Sequence, residues 1–320
     1  MTFFDFLLTN IQELISYFVD ANKRLYWVYL VAALIFALPI YWREHKKKGL
    51  FGFFTYLFPK KIYIAKSAQH DYLLLIVNKI FRAVLFPFII LTMAPIALGI
   101  SSVMEILFDS RDFIELSPTN IMITFTALLF ILDDFTRFIL HYALHRFSIL
   151  WQFHKVHHSA TVLTPFTVYR SHPVESYLYA CRMALTQGIA VGIAYYFFGP
   201  TLKMIDILGA NLFVFIFNCC ASNLRHSHIR LCWGNHIEKW FLSPAQHQIH
   251  HSELPQHHHT NFGTAIAIWD RIFKCHTYSS QVKDIKFGLG NKSPDHSTII
   301  KIYTQPFIAV IQRVQHYLSR

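Results

Sequence analysis

The sequence predicts an all-α fold: an integral membrane helical bundle of about five spans, with a histidine-rich helical cap on its cytoplasmic face. Three observations lead there. Apolar residues make up 54% of the 320 residues and charged residues only 15%, against about 25% charge in soluble domains. Several apolar runs approach the roughly 20 residues that a spanning helix needs. Two copies of H-x-x-H-H, with one H-x-x-x-H upstream, supply eight histidines at helical spacing.

The opening stretch, MTFFDFLLTNIQELISYFVD, lacks a basic leader and carries Asp5, Glu13 and Asp20. It reads as an interfacial amphipathic helix rather than a signal peptide. Residues 25–42 form the first span and end in a basic run. Lys79 and Arg82 interrupt the next apolar region, which puts the second span at 83–104. Glu105, Asp109, Asp112 and Glu115 precede a third apolar helix, 119–140, which runs into the first histidines. Stretches 176–198 and 203–222 flank Gly199-Pro200 and read as a helical hairpin supplying the last two spans. The late segment STIIKIYTQPFIAVIQRV reads as a short interfacial helix. The implied organisation is a membrane anchor over 1–118, a histidine-box catalytic region over 119–278 and an interfacial tail over 279–320.

Short-loop Lys and Arg place the 43–66 loop inside and the 105–118 loop outside. Three crossings and a returning hairpin then put every histidine block on the cytoplasmic side. The formal charge of +11 has the same origin. Lys23, Arg24, Arg43, Lys46, Lys47, Lys48, Lys60, Lys61 and Lys66 flank apolar segments, as suits anchoring beside anionic lipid. No nucleic-acid motif is present, so nucleic acid is excluded as a partner. The five cysteines contain no C-x-x-C pair and suggest no disulfide framework.

The chemistry lies in the histidines. The first H-x-x-H-H is His154, His157 and His158; the second is His247, His250 and His251; the H-x-x-x-H is His141 and His145. Positions i, i+3 and i+4 share a helix face, so each block aims two or three ring nitrogens one way. Imidazole suits Fe, Zn, Cu and Ni, and eight ligands exceed the four to six places around one ion. Two metals are therefore expected. His172, before the hairpin, and His226, after it, are candidate further ligands, as is His258 in the run His257–His259. The competing expectation for His172 is hydrogen bonding or helix capping, and for the run His257–His259 a solvated loop. Asp134, Arg137 and Asn261 are candidates to orient the ligands from behind, while Asp134 and Arg137 also suit a pair that neutralises itself between helices. In NFGTAIAIWDRIF, Trp269 and Phe273 are expected to anchor a turn beneath the second box.

HYALHR, HKVHHS, RSHPVE, HSHIRL, HQIHHS and TNFG…WDRIF resemble, in order, the motifs of the fatty acid hydroxylase/sterol desaturase superfamily. The resemblance covers about residues 120–275. It implies a non-haem di-iron membrane enzyme that uses O₂ to hydroxylate or desaturate a lipid, with the eight box histidines as ligands and His226 as the histidine preceding the last box. His228 stands where the family often has Asn, and HHHTNFG where it often has an Asp-x-Asn-Tyr-Gly-like run. The chain has no G-x-G-x-x-G, C-x-x-C-H or ferredoxin-type cysteine run. An external electron donor is implied, of ferredoxin or cytochrome b5 type with its reductase. The alternative is a membrane zinc-dependent hydrolase; it needs a carboxylate base, for which Glu175 and Glu253 are the nearby candidates.

Overall fold

A computed structural model describes residues 2–45, 49–85, 91–110, 112–220 and 222–319. The expected basic-run residues Lys46 to Lys48 lie outside the described residues, as does part of the expected second span, 86–90.

The all-α expectation holds. The principal helices are α1 (Phe3–Gln12), α2 (Trp27–Glu44), α3 (Lys66–Leu85), α4 (Met93–Phe108), α5 (Pro118–Arg146), α6 (Ser148–His158), α7 (Pro173–Phe198), α8 (Leu212–Cys219), α9 (Pro244–His250) and α10 (Ile299–Leu318). Among the described residues, extended structure is limited to a two-stranded antiparallel ribbon, β1 (Asp206–Ile207) with β2 (Ala210–Asn211), and isolated bridges.

The helix that carries the first histidines starts where its residues dictate. The Ser117 hydroxyl accepts from Asn120 N at 3.3 Å and Pro118 takes the first helical position. After 29 residues Phe147 adopts an extended conformation, and α6 leaves at the corner. Helix α7 packs along both α4 and α5. Against α5 it buries Phe125, Ala190 and Ala194. Against α4 it presents Gly188 and Gly192, one turn apart. A Cβ on Gly192 would stand 2.6 Å from Ala97 O, so only glycine permits this approach. The ionisable groups inside the bundle meet one another: Asp133 accepts from Arg137 Nε at 2.7 Å and from Arg182 Nη1 at 2.8 Å.

Two expectations about spans need correction. The second does not run as one helix over 83–104, because Thr92 is extended and α4 begins only at Met93. The hairpin lacks a second long leg over 203–222. There the chain makes a tight turn at Leu208 and Gly209, both with positive φ. Thr126 then ties it to α5, its hydroxyl accepting from Ile205 N at 2.8 Å and its carbonyl from Asn211 Nδ2 at 3.1 Å. Helix α8 is eight residues, about 12 Å. Among the described residues one helix, α2, is both long and apolar enough to cross a membrane; α4 is apolar but shorter. The tail also differs from a purely interfacial helix, since Ile302 of α10 is fully buried against Leu74 and Val156, behind the first box.

Candidate metal centre

Nine histidines converge in two adjacent groups. His141, His145, His154, His158 and His250 form one, and His157, His226, His247 and His251 the other; within each group the donor atoms lie within 4.8 Å of one another. All nine are buried. Each box divides in a reciprocal way. Of the first, the one-turn pair His154 and His158 joins the five-membered group while His157 crosses to the four. Of the second, the pair His247 and His251 joins the four while His250 crosses to the five. The boxes alone thus give three rings to each group. His141 and His145 complete one, and His226, from the 3₁₀ turn Ser222–His226, completes the other. The rings of His158 and His251 stack at 4.6 Å across the boundary.

The outward nitrogens set the chemistry of the inward ones. His141 Nδ1 donates to Phe262 O at 2.8 Å, His250 Nδ1 to Thr260 O at 2.8 Å and His157 Nδ1 to Arg170 O at 3.2 Å. His154 Nδ1 donates to Glu175 Oε1 at 2.9 Å. A carbonyl only accepts, so in His141, His250 and His157 the neutral ring's proton resides on Nδ1 and Nε2 carries a bare lone pair. Burial keeps the rings neutral, pushing His154 and His157 down to about 3. Yet His141 Nε2 lies 3.0 Å from His250 Nε2 and 3.1 Å from His154 Nε2. In the second group His226 Nε2 lies 3.1–3.3 Å from the Nε2 atoms of His247, His251 and His157. Between His141 and His250 two bare lone pairs face each other at 3.0 Å and repel unless a cation lies between them. A metal–nitrogen bond of about 2.1 Å puts neighbouring donors about 3.0 Å apart at right angles and about 3.4 Å at the tetrahedral angle, which matches the observed spacing. His145 and His158 have no hydrogen-bond partner on either nitrogen, nor has His247 on Nδ1. The donor set fits two metal ions.

The supports of the ligands are mostly backbone atoms. Asn261 has φ +57°, and this turn aims the carbonyls on either side of it, Thr260 and Phe262, at two different histidines. Its side chain donates to Gln246 O and Thr277 O, both at 3.0 Å, pinning the loop to α9. Asp134 touches no histidine. It accepts from Ala265 N, Ile266 N and Trp269 Nε1, so it holds the loop that carries Phe262. Arg137 pairs with Asp133 rather than with Asp134. Trp269 packs on Phe135 and Phe273 on Phe138, so both anchor the turn to α5 rather than to the second box.

Two candidate ligands fall outside the groups. His172 caps α7, accepting from Val174 N at 3.2 Å, while its Nε2 donates to Tyr303 O at 3.2 Å. His258 donates to Ser252 O at 2.7 Å, and its ring lies 5.6 Å from that of His158. Short local partners satisfy both side chains. Sequence reasoning missed the buried Asp71–Arg170 pair, 2.8 Å apart. The Arg170 guanidinium also binds Val156 O and Ser159 Oγ at the end of α6, while its own carbonyl holds His157. Arg170 opens the RSHPVE motif, but nothing in the local pattern pairs it with Asp71.

Residues 126–275 match the model of the fatty acid hydroxylase family, and that segment contains all nine histidines. The chain is similar to an ornithine lipid hydroxylase, OlsE, of Rhizobium tropici, 27% identical over 143 residues, which is 44% of this chain and 38% of that protein. It is also similar to an alkylglycerol monooxygenase of Caenorhabditis elegans, 24% identical over 144 residues, 44% of this chain and 25% of that protein. The chain thus matches well under half the length of either relative. No solved structure matches it. Residues 126–275, just under half of the chain, thus form a segment that matches the fatty acid hydroxylase family and is shared with both relatives.

Proposed function

We propose that this protein is a membrane-bound non-haem oxygenase that holds two iron ions in its nine histidines and uses O₂ to hydroxylate or desaturate a lipid. The observation that carries the reading is the facing of His141 and His250, whose Nδ1 protons are committed to carbonyls and whose Nε2 atoms meet at 3.0 Å, inside two groups whose donor atoms lie within 4.8 Å of one another. Imidazole nitrogen alone admits several metals; the family match favours iron. Bound there, iron would supply oxidation of an unactivated C–H bond, which offers nothing for acid–base groups to grip.

The chain's own part is to keep the rings neutral, oriented and dry. Phe262 O, Thr260 O, Arg170 O and Glu175 fix four rings, and burial excludes bulk water. The printed names of both relatives, a hydroxylase and a monooxygenase, favour hydroxylation over desaturation. The lipid substrate and the composition argue for a multi-pass membrane protein with its histidines on the cytoplasmic face, anchored by 1–118, with 119–278 as the catalytic region and 279–320 as the tail. Electrons come from a separate ferredoxin or cytochrome b5 with its reductase. A zinc hydrolase would need a carboxylate base at the ions, and Glu175 Oε1 already accepts from His154.

The purified protein is expected to carry two irons per chain and to form oxidised lipid only with O₂ and reductant, read by metal analysis and lipid mass spectrometry. His157→Ala should reduce metal content and abolish turnover while membrane insertion persists. Retained lipid oxidation by that variant, or lipid cleavage by a zinc-loaded protein without O₂, would overturn the assignment.

A further inference from the structure

A cleft of about 680 Å³ opens beside the five-histidine group. Its wall includes His145, one of the five, and Trp151, whose ring lies 4.7 Å from that of His145. Three cationic side chains from three different helices also line it: Arg146 of α5, Lys155 of α6 and Arg313 of α10. Glu253 is the one acidic residue among the described lining residues. The guanidinium of Arg146 rests over the Tyr142 ring at 5.1 Å, a stacking contact that holds it in place.

Size and charge narrow the occupant. The volume falls in the range of about 300–1,000 Å³ typical of small-molecule sites, and a concave site of that size does not suit the broad face of a folded partner. Among the described lining residues Arg146 and Arg313 outnumber Glu253, so the cleft is positive and concentrates anions. Trp151 supplies an apolar flank leading to His145. We propose that this cleft takes a single-chain anionic amphiphile. Its carboxylate or phosphate head group pairs with Arg146 and Arg313, and its first carbons lie along Trp151 beside His145. The proposal rests on the oxygenase reading, to which it adds the class of substrate.

The test compares dodecyl phosphate with 1-O-dodecylglycerol, which shares the chain and lacks the charge, on cobalt-substituted protein in nanodiscs. The cobalt absorption spectrum reports ligands arriving at His145 and ignores probe dissolved in the bilayer. Dodecyl phosphate should perturb the spectrum at lower concentration than the neutral probe. The double variant Arg146→Gln/Arg313→Gln should weaken it roughly fivefold or more, the effect of two partly exposed charge contacts, and leave 1-O-dodecylglycerol unchanged. Equal affinity for the two probes, or a double variant that binds dodecyl phosphate normally, would overturn the proposal. If that variant instead slows electron delivery from a protein donor, the basic face serves an acidic redox partner and the proposal fails. Selective binding in a protein whose iron form oxidises no lipid would overturn the oxygenase reading and leave the ligand class standing.

Discussion

Removing Arg170 should cost both stability and metal retention, and the structure sets the size of each. Arg170 and Asp71 pair at 2.8 Å with side chains 2% and 0% exposed, so solvent screens the interaction little. Breaking one partner of such a buried pair costs about 3–5 kcal/mol, because the other charge is left uncompensated. Burial by itself raises Asp71, and Arg170 is the largest influence opposing that rise. At about 2.1 cal/mol/K of unfolding entropy per residue, Arg170→Gln should lower the melting temperature by roughly 5–7 °C. The guanidinium also grips the end of the first-box helix, and the Arg170 carbonyl orients His157. Outer supports of this kind are typically worth about 10–100-fold in metal affinity. The assay is a thermal melt of the purified protein, paired with metal release to a chelator, for Arg170→Gln, Asp71→Asn and the double variant. The double variant should be less destabilised than the sum of the singles, by about 0.5–3 kcal/mol. Additive losses, or an Arg170→Gln protein that melts and holds metal like the parent, would refute the reasoning.

Two further outcomes follow from the same structure. Burial holds His154 and His157 at about 3 in the folded chain, against about 6.5 when unfolded, so below pH 6.5 the unfolded chain binds more protons. Stability of the metal-free protein is therefore full above that pH and falls steadily as acid is added; a melt at pH 5.5 should lie below one at pH 7.5, and an equal or higher melt would contradict it. Gly192→Val should destabilise the packing of α4 on α7 by about 1–3 kcal/mol through overpacking, since its new Cβ meets Ala97 O at 2.6 Å. Gly99→Ala, with nothing within 4 Å of its added carbon, serves as the harmless control in the same thermal assay.

Spacing along a helix is local, and so the helical character, the eight box histidines and the expectation of two metals were all legible in the sequence. So was Trp269 as an anchor, because an apolar ring in a Gly-containing turn needs a core to fill. The hairpin was misread because hydropathy reports burial without saying in what. The stretch 203–222 is apolar, yet it folds back on Thr126 and leaves only eight residues of α8 as helix. His172 and His258 show the same limit. A histidine beside the boxes looks like a ligand until a helix N-terminus or a nearby carbonyl claims it.

By itself the sequence determined which side chains supply nitrogen and which helix faces they share, since both follow from residue type and a 3.6-residue period. Only the tertiary structure decided how the boxes divide, five rings against four, with each box sending one member across. It also decided which nitrogen of His250, His141 and His157 points inward, because main-chain carbonyls of Thr260, Phe262 and Arg170 settle that choice. A carbonyl belongs to every residue alike. Its placement is a property of the folded backbone, and no pattern of residue types announces it.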